Sequence, residues 1–248
     1  MKNDQIKVRE CTSVEELDAC VRLQREVFAL PDLEISPRRH LIVTKNAGGF
    51  TLGAFSGEKL VGFVLSVPAF SGTERFFYSH MMAVAADFQN QGIGSRLKWA
   101  QREKSLREGV KFIKWTFQPT QARNAFFNLE RLGVIIKTYA ANFYGTDYST
   151  AHIAGGQIGL DSDRLFAEWN LENEKVIALS KGETFIEKAE VAKTIEISND
   201  WNALAKSNPQ KAVAEQARVR SEFQSAFAEN MVCRAFERNR QKPKYLLY

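Results

Sequence analysis

The reading starts from residues 81–98, MMAVAADFQNQGIGSRLK. Met82-Ala83-Val84 has the apolar character of a strand end. Gln89-Asn90-Gln91-Gly92-Ile93-Gly94 then breaks that pattern, and Ser95-Arg96-Leu97-Lys98 opens a helix. A turn of this kind can aim backbone N–H groups at an anion at the positive end of a helix. Gly92 and Gly94 lack a Cβ, so phosphate oxygens can come close to the main chain. Arg96, Lys98 and Arg102 add positive charge in sequence. Tight packing alone also places two glycines at a helix start, so the flanking elements have to decide.

Working outward, residues 6–9 read as a short strand, and Ser13 with Glu16 as a capping box opening a helix. Pro31 and Pro37 make residues 30–39 a loop, and residues 40–45 read equally as a helical turn or a strand end. Two strands at 50–56 and 59–67 flank a Ser56-Gly57-Glu58-Lys59 hairpin signal, and a third covers 75–84. A helix over 92–109, a strand at 111–117, a helix over 122–132 ended by Gly133, and a strand at 134–143 complete the unit. Downstream, a strand is expected over 164–171 and a hairpin at 176–179 and 184–187 around Lys181-Gly182. Asn208-Pro209 starts a further helix, and strands at 231–236 and 245–248 follow.

Composition sets the outer bounds. The 248 residues are 44% hydrophobic and 25% charged, an ordinary globular balance. Residues 1–10 have no apolar core of a secretory signal, and the apolar stretch at 60–70 is too short to span a bilayer, so a cytoplasmic protein is expected. Cys11, Cys20 and Cys233 show neither metal spacing nor disulfide arithmetic. The formal charge of +5 suits an anionic ligand, and no basic run is interleaved with aromatics as in nucleic-acid binders. No metal, nucleic-acid or membrane partner is expected; a homo-oligomer is possible.

The order strand, turn, helix, strand, helix ending in Leu-Gly resembles motif A of the GNAT acetyltransferase superfamily, Q/R-x-x-G-x-G/A. Asn124-Ala125 and Arg131-Leu132-Gly133-Val134 look like the segment that follows it there. The dinucleotide-binding G-x-G-x-x-G does not fit, since its first glycine is missing and no ribose-binding acid follows at the right distance. More narrowly, the chain is similar to a group of longer bacterial GNAT proteins. Ser79-His80-Met81, Trp115-Thr116-Phe117, Arg123-Asn124-Ala125-Phe126-Phe127-Asn128-Leu129, Asn142-Phe143-Tyr144-Gly145, Asp163-Arg164 and Glu168-Trp169 carry that likeness.

The resemblance implies an α/β (α+β) GNAT fold: a central mixed, mostly antiparallel sheet with splayed fourth and fifth strands, flanked by helices. It implies a GNAT acyltransferase domain over 1–154 and a C-terminal α+β extension over 155–248. It implies an acyl-CoA-dependent N-acyltransferase, acetyl-CoA or another acyl-CoA being the cosubstrate. The acceptor is expected to be a small-molecule amine or amino acid, attacking the thioester directly in a ternary complex. A catalytically silent acyl-CoA-binding module and a protein or peptide N-acetyltransferase are the alternatives. In the family, Met82, Ala83 and Val84 would hold the pantetheine arm, and a backbone N–H near Met82 would polarise the thioester carbonyl. Gln89, Asn90, Gln91, Gly92, Ile93, Gly94 and Ser95 would hold the pyrophosphate. Asn124 would contact the pantetheine, although the family's asparagine aligns nearer Ala122.

The amine must lose a proton before or during attack. Period-two alternation puts Tyr78, His80, Met82 and Val84 on one face. His80 is the base candidate, or else it orders neighbouring loops. Glu34, in the loop that lines the acceptor side in the family, is either a second base or a surface acid. Many family members use a tyrosine as the acid for the departing thiolate, and Leu129 occupies that position here. Tyr139 and Tyr144 are the nearest substitutes, with core packing the favoured reading for Tyr139. Arg38 and Arg39 read equally as carboxylate ligands and as surface residues, and His40 and His152 have no partner pattern.

Overall fold

The protein is described from a computed structural model over residues 6–28, 30–147 and 159–248. The chain divides into two compact units, Met1–Lys114 and Trp115–Tyr248. The domain boundary expected at 154/155 and the side chain of His152 lie outside the described residues.

In the first unit, β1 (Ile6–Glu10) is followed by α1 (Val14–Phe28), a single 3-10 turn, and α2 (Arg38–Asn46). β2 (Phe50–Ser56), β3 (Lys59–Ser71) and β4 (Glu74–Val84) form a meander. After a second 3-10 turn come α3 (Ile93–Arg107) and β5 (Phe112–Phe117). The strand order is β1-β2-β3-β4-β5. The first three pairings are antiparallel; β4 and β5 are parallel through Phe77↔Ile113 and Tyr78↔Lys114. This is the mixed, mostly antiparallel sheet expected from the sequence.

Both faces of this sheet are covered. From Val61 to Ser66 every residue of β3 is buried, so the strand reads as a continuous run rather than an alternation. Phe63 and Leu65 pack with Phe55 and Ala83 against Leu17, Cys20 and Leu23 of α1 and Leu41 of α2. Each fully buried side chain of that size contributes about 1.5–3 kcal/mol. The opposite face meets α3, whose Ile93 and Leu97 lie against Gly62. The capping box forms as predicted: Ser13 Oγ accepts from Glu16 N at 3.3 Å, and Glu16 Oε2 accepts from Ser13 N at 3.2 Å. Residues 40–45, ambiguous in sequence, are helical because Pro37 starts α2 and fixes its entry.

The second unit takes up the end of β5. α4 (Ala122–Phe126) widens into a π-type turn, Phe127–Leu132, where one continuous helix was predicted. The turn ends at Gly133 (φ 74°), and the Leu132 carbonyl accepts from Trp169 Nε1 at 2.7 Å. β6 (Ile135–Ala140), the two-residue strands β7 (Thr146–Asp147) and β8 (Leu160–Asp161), and β9 (Arg164–Asn170) follow. Then come α5 (Glu174–Ser180), β10 (Lys193–Glu196), α6 (Trp201–Ser207), α7 (Pro209–Ala228), β11 (Cys233–Glu237) and β12 (Lys244–Leu247). The order is β5-β9-β6-β11-β12-β10, with β7 and β8 as a separate ribbon.

One expectation fails here. Residues 176–179 are helical rather than half of a hairpin. Asn173 caps α5 by accepting from Lys175 N at 3.0 Å, and one face of the helix buries Val176. Residues 184–187 have no strand; the edge strand is β10, paired antiparallel with β12. The predicted long helix at Pro209 and the final strand pair are present. Phe223 of α7 is fully buried among Tyr139, Phe227 and Tyr245, and Tyr245 donates to the Pro119 carbonyl at 2.6 Å.

Candidate functional site

The glycine turn is built by its own side chains. Gln89 Nε2 donates to the Val84 carbonyl at 3.1 Å, and Gln91 Nε2 donates to the Asp87 carbonyl at 2.8 Å. Asn90 (φ 62°) and Gly92 (φ 78°) are both left-handed. Such alternation curls successive N–H groups into a concavity. Gly92 is the N-cap of α3, and its carbonyl accepts the first helical bond, from Arg96 N at 3.1 Å. The N–H groups of Ile93, Gly94 and Ser95 therefore belong to the first helical turn, which has no intrahelical acceptors for them. Open space stands where a Gly92 Cβ would be, whereas a Cβ at Gly94 would meet the Met82 Cε at 3.4 Å. Buried Ile93 and Leu97 anchor the helix start from below.

The nearby cations behave differently from the sequence expectation. The Arg96 guanidinium donates to the Ile6 carbonyl of β1. Lys98 points into the fold and is 2% exposed. Its Nζ lies 3.0 Å from Ser79 Oγ and 2.9 Å from Gln101 Oε1; Gln101 Nε2 in turn reaches Ser66 Oγ at 2.8 Å. Burial pushes the Lys98 pKa well below the ordinary lysine value. Lys98 is thus a member of a buried polar cluster joining α3 to β3 and β4.

That cluster sits under an irregularity in β4. The β3–β4 register runs Leu65↔Met81 and then Ser66↔Ser79, which leaves His80 as an extra residue. A bulge of this type breaks strict alternation. Before it, Ser79 faces α3, as its bonds to Lys98 and Gln101 show. After it, Met82 faces α3 beside Gly94, while Met81 packs on the α1 side. The expectation that His80 and Met82 share a face is therefore corrected. His80 turns to the α1–α2 side.

There it meets residues that the sequence did not connect. His80 Nε2 lies 3.3 Å from Ser36 Oγ, and Ser36 Oγ lies 3.3 Å from His40 Nδ1. The two imidazoles stand edge to face at 5.9 Å. Ser36 is buried and fixed by two bonds with the side chain of Gln24. His80 is itself exposed, which tempers the desolvation caused by the atoms around it. That desolvation, and second the like charge of His40, lower its pKa from the ordinary histidine value. Only the Ser36–His40 spacing of one helical turn hinted at this arrangement in sequence.

Of the other predicted residues, Glu34 is exposed in the 3-10 turn before α2. Arg38 pairs with Asp18 at 2.8 Å, and Arg39 is exposed. Asn124 and Tyr144 belong to the second unit. Asn124 is exposed in α4; the Tyr144 hydroxyl lies 3.2 Å from Thr116 Oγ1. Leu129, at the family's tyrosine position, is fully buried. Tyr139 donates to Asp163 at 2.5 Å, and burial followed by that bond raises its pKa, so it serves packing. Among the described residues no group of three or more His, Cys, Asp or Glu is placed to hold a metal, and no helix is long and apolar enough to cross a membrane.

A profile of the acetyltransferase (GNAT) family matches residues 15–134. No curated protein matches the sequence. Among solved structures, the ribosomal-protein-S18-alanine N-acetyltransferase from Escherichia coli is similar, with TM-score 0.51 and 15% identity over 75% of this chain and 99% of that one. A GNAT family acetyltransferase from Elizabethkingia anophelis with acetyl-CoA bound gives TM-score 0.50 and 20% identity over 68% and 99%. Aminoglycoside 6'-acetyltransferase type Ii gives 0.52 and 16% over 68% and 99%. At these identities the likeness is one of fold.

Proposed function

Residues 15–134 carry a GNAT-family acetyltransferase domain, and from that premise we propose that the protein is an acyl-CoA-dependent N-acyltransferase acting on the amine of a small molecule such as an amino acid. Acetyl is the acyl group we place first. The supporting observation is the turn: two left-handed residues, Asn90 and Gly92, lead directly into the N-terminus of α3. Gln89 through Ser95 would cradle the pyrophosphate there, and Asn124 would serve as a pantetheine contact. When bound, acyl-CoA supplies a thioester whose carbonyl carbon accepts the amine.

The main chain at Met82, Ala83 and Val84 would align the pantetheine arm and polarise that carbonyl. His80 would take the ammonium proton. Its lowered pKa keeps it neutral, and so able to accept a proton, at neutral pH. Ser36 and His40 would carry the proton onward, since both contacts are within reach of exchange. Glu34 and Tyr144 are secondary candidates, as base and as acid to the leaving thiolate. Burial of Leu129 at the usual acid position favours a second reading, a module that binds acyl-CoA without turnover.

Coenzyme-A release from acetyl-CoA and succinyl-CoA, measured against free amino acids, amines and peptides, separates these readings. Gly92→Glu places a carboxylate in the turn and strains a left-handed position, so it should abolish both cosubstrate binding and turnover. Tight acetyl-CoA binding without release for any acceptor would favour the silent module. Unchanged binding by Gly92→Glu would remove the turn from the site.

A further inference from the structure

The second unit carries a cluster of aromatic side chains around Arg164, on β9 and the turn that follows β6. β9 alternates cleanly: Leu165, Ala167 and Trp169 are buried, while Arg164, Phe166 and Glu168 occupy the other face, half-buried. The turn following β6 is held rigidly beside that face. Asn142 is left-handed (φ 45°) and its N–H donates to Asp163 Oδ1 at 2.9 Å. Phe143 N donates to the Ser162 carbonyl at 3.1 Å, and Tyr144 N donates to Ser162 Oγ at 2.7 Å. The turn thereby presents two large aromatic rings, Phe143 and Tyr144, that remain 44% and 51% exposed. Phe143 stands edge-on to Phe166 at 5.4 Å and to Tyr144 at 4.6 Å.

Arg164 lies in this aromatic frame, its guanidinium carbon 5.2 Å from the Tyr144 ring centroid. Its Nε is buried and has no hydrogen-bond partner. The acids close to it in sequence are already used. Asp163, 1% exposed, takes the Tyr139 hydroxyl and Arg220, and Asp161 takes Arg220 at 2.7 Å. Among the described residues no carboxylate pairs with Arg164. A buried guanidinium N–H without an acceptor is costly, and native folds rarely leave one without reason. The Nε itself is closed to solvent, so a ligand meets the outer Nη edge of the guanidinium, whose paired N–H groups match a carboxylate.

We propose that Arg164, framed by Phe143, Tyr144 and Phe166, anchors a binding site for the carboxylate of a small organic acid with an aromatic body. The guanidinium takes the carboxylate in its plane, and the rings take the apolar part by edge and face contact. The probe is 3-phenylpropionate, titrated calorimetrically into the full-length protein, with 3-phenylpropanamide as the uncharged match and inorganic phosphate as the plain anion. The propionate should bind, and the amide should bind about 10–100-fold more weakly, the range of a charge-assisted hydrogen bond. Arg164→Gln should lose the discrimination between acid and amide. Phe143→Ala should weaken the acid by roughly threefold to tenfold, the scale of one aromatic pair. Circular dichroism and acetyl-CoA binding check that each variant is folded. Because acetyl-CoA binding reports on the Gly92 turn, failure of that reading stays distinct from failure here. Equal affinity for acid and amide, equal affinity for phosphate, unchanged binding by Arg164→Gln, or no binding of the propionate at all would each overturn the proposal.

Discussion

Replacing Lys98 by methionine tests the most unusual group in the first unit. The ammonium of an unfolded lysine holds its proton up to about pH 10.4. In the fold, Lys98 is 2% exposed and burial lowers its pKa well below that value. Between the folded and unfolded pKa values the unfolded chain therefore binds one more proton than the folded chain. Unfolding free energy then rises with pH by about 1.4 kcal/mol per pH unit in that window, and levels off above the unfolded pKa. Below the folded pKa both states are charged and the slope vanishes. Lys98→Met keeps the length of the stem and removes the titrating group. Other lysines and tyrosines titrate in both proteins, so their contributions cancel in the difference. The assay is urea unfolding of both proteins at pH 7, 8, 9 and 10. The stability of the native protein relative to the variant should climb with pH, by at most about 1.4 kcal/mol per unit, until it levels off near the unfolded lysine value of about 10.4. A flat difference would show that Lys98 stays charged in the fold, and the argument from burial would be wrong.

Two other titrations follow. In an active preparation, the acid limb of kcat/KM should fall below the ordinary histidine value of about 6.5, because desolvation and then His40 lower the His80 pKa. His40→Gln removes the repelling charge and should move that limb upward; an unmoved limb would separate His40 from the base. Glu16→Gln should destabilise the first unit at neutral pH. The Arg9 guanidinium at 2.5 Å, aided by the N–H groups of Thr12 and Ser13, holds the Glu16 pKa down to about 2. With half-exposed Arg9 allowing for solvent screening, the loss at pH 7 should be about 1–2 kcal/mol. It should shrink as pH falls from about 4.5 towards 2, and thermal melts of both proteins across that range would read it.

The order of elements along the first unit was legible because most of them end on a strong local signal. Gly92 and Gly133 mark turns that no other residue adopts so readily, and both have positive φ in the structure. The capping box at Ser13 and the Asn208-Pro209 helix start were readable for the same reason. What failed was whatever depends on a partner far away in sequence. The apolar run at 176–179 fits a strand or a helix equally; the nearby Asn173 cap favours the helix, and the tertiary burial of Val176 decides it. Lys98 reads as a phosphate-side cation until Ser79 and Gln101 are seen around it. A bulge adds one residue without changing composition, so the faces of β4 past His80 were assigned in the wrong phase. The contact of Ser36 with His80 spans 44 residues, beyond any local periodicity.

The same bulge fixes the sliding register of a long hairpin. β3 has 13 residues, and a regular partner can slip along such a strand by two places while every side chain keeps its own face. With His80 inserted, the halves of β4 on either side of it are out of phase with each other. A slip that carries the bulge along sets it opposite a residue other than Leu65 or Ser66, and draws Ser79 away from Gln101. A slip that leaves the bulge behind turns part of the strand inside out, exchanging buried Phe77 with its half-exposed neighbours. Neither movement is cheap, so the hairpin has one alignment.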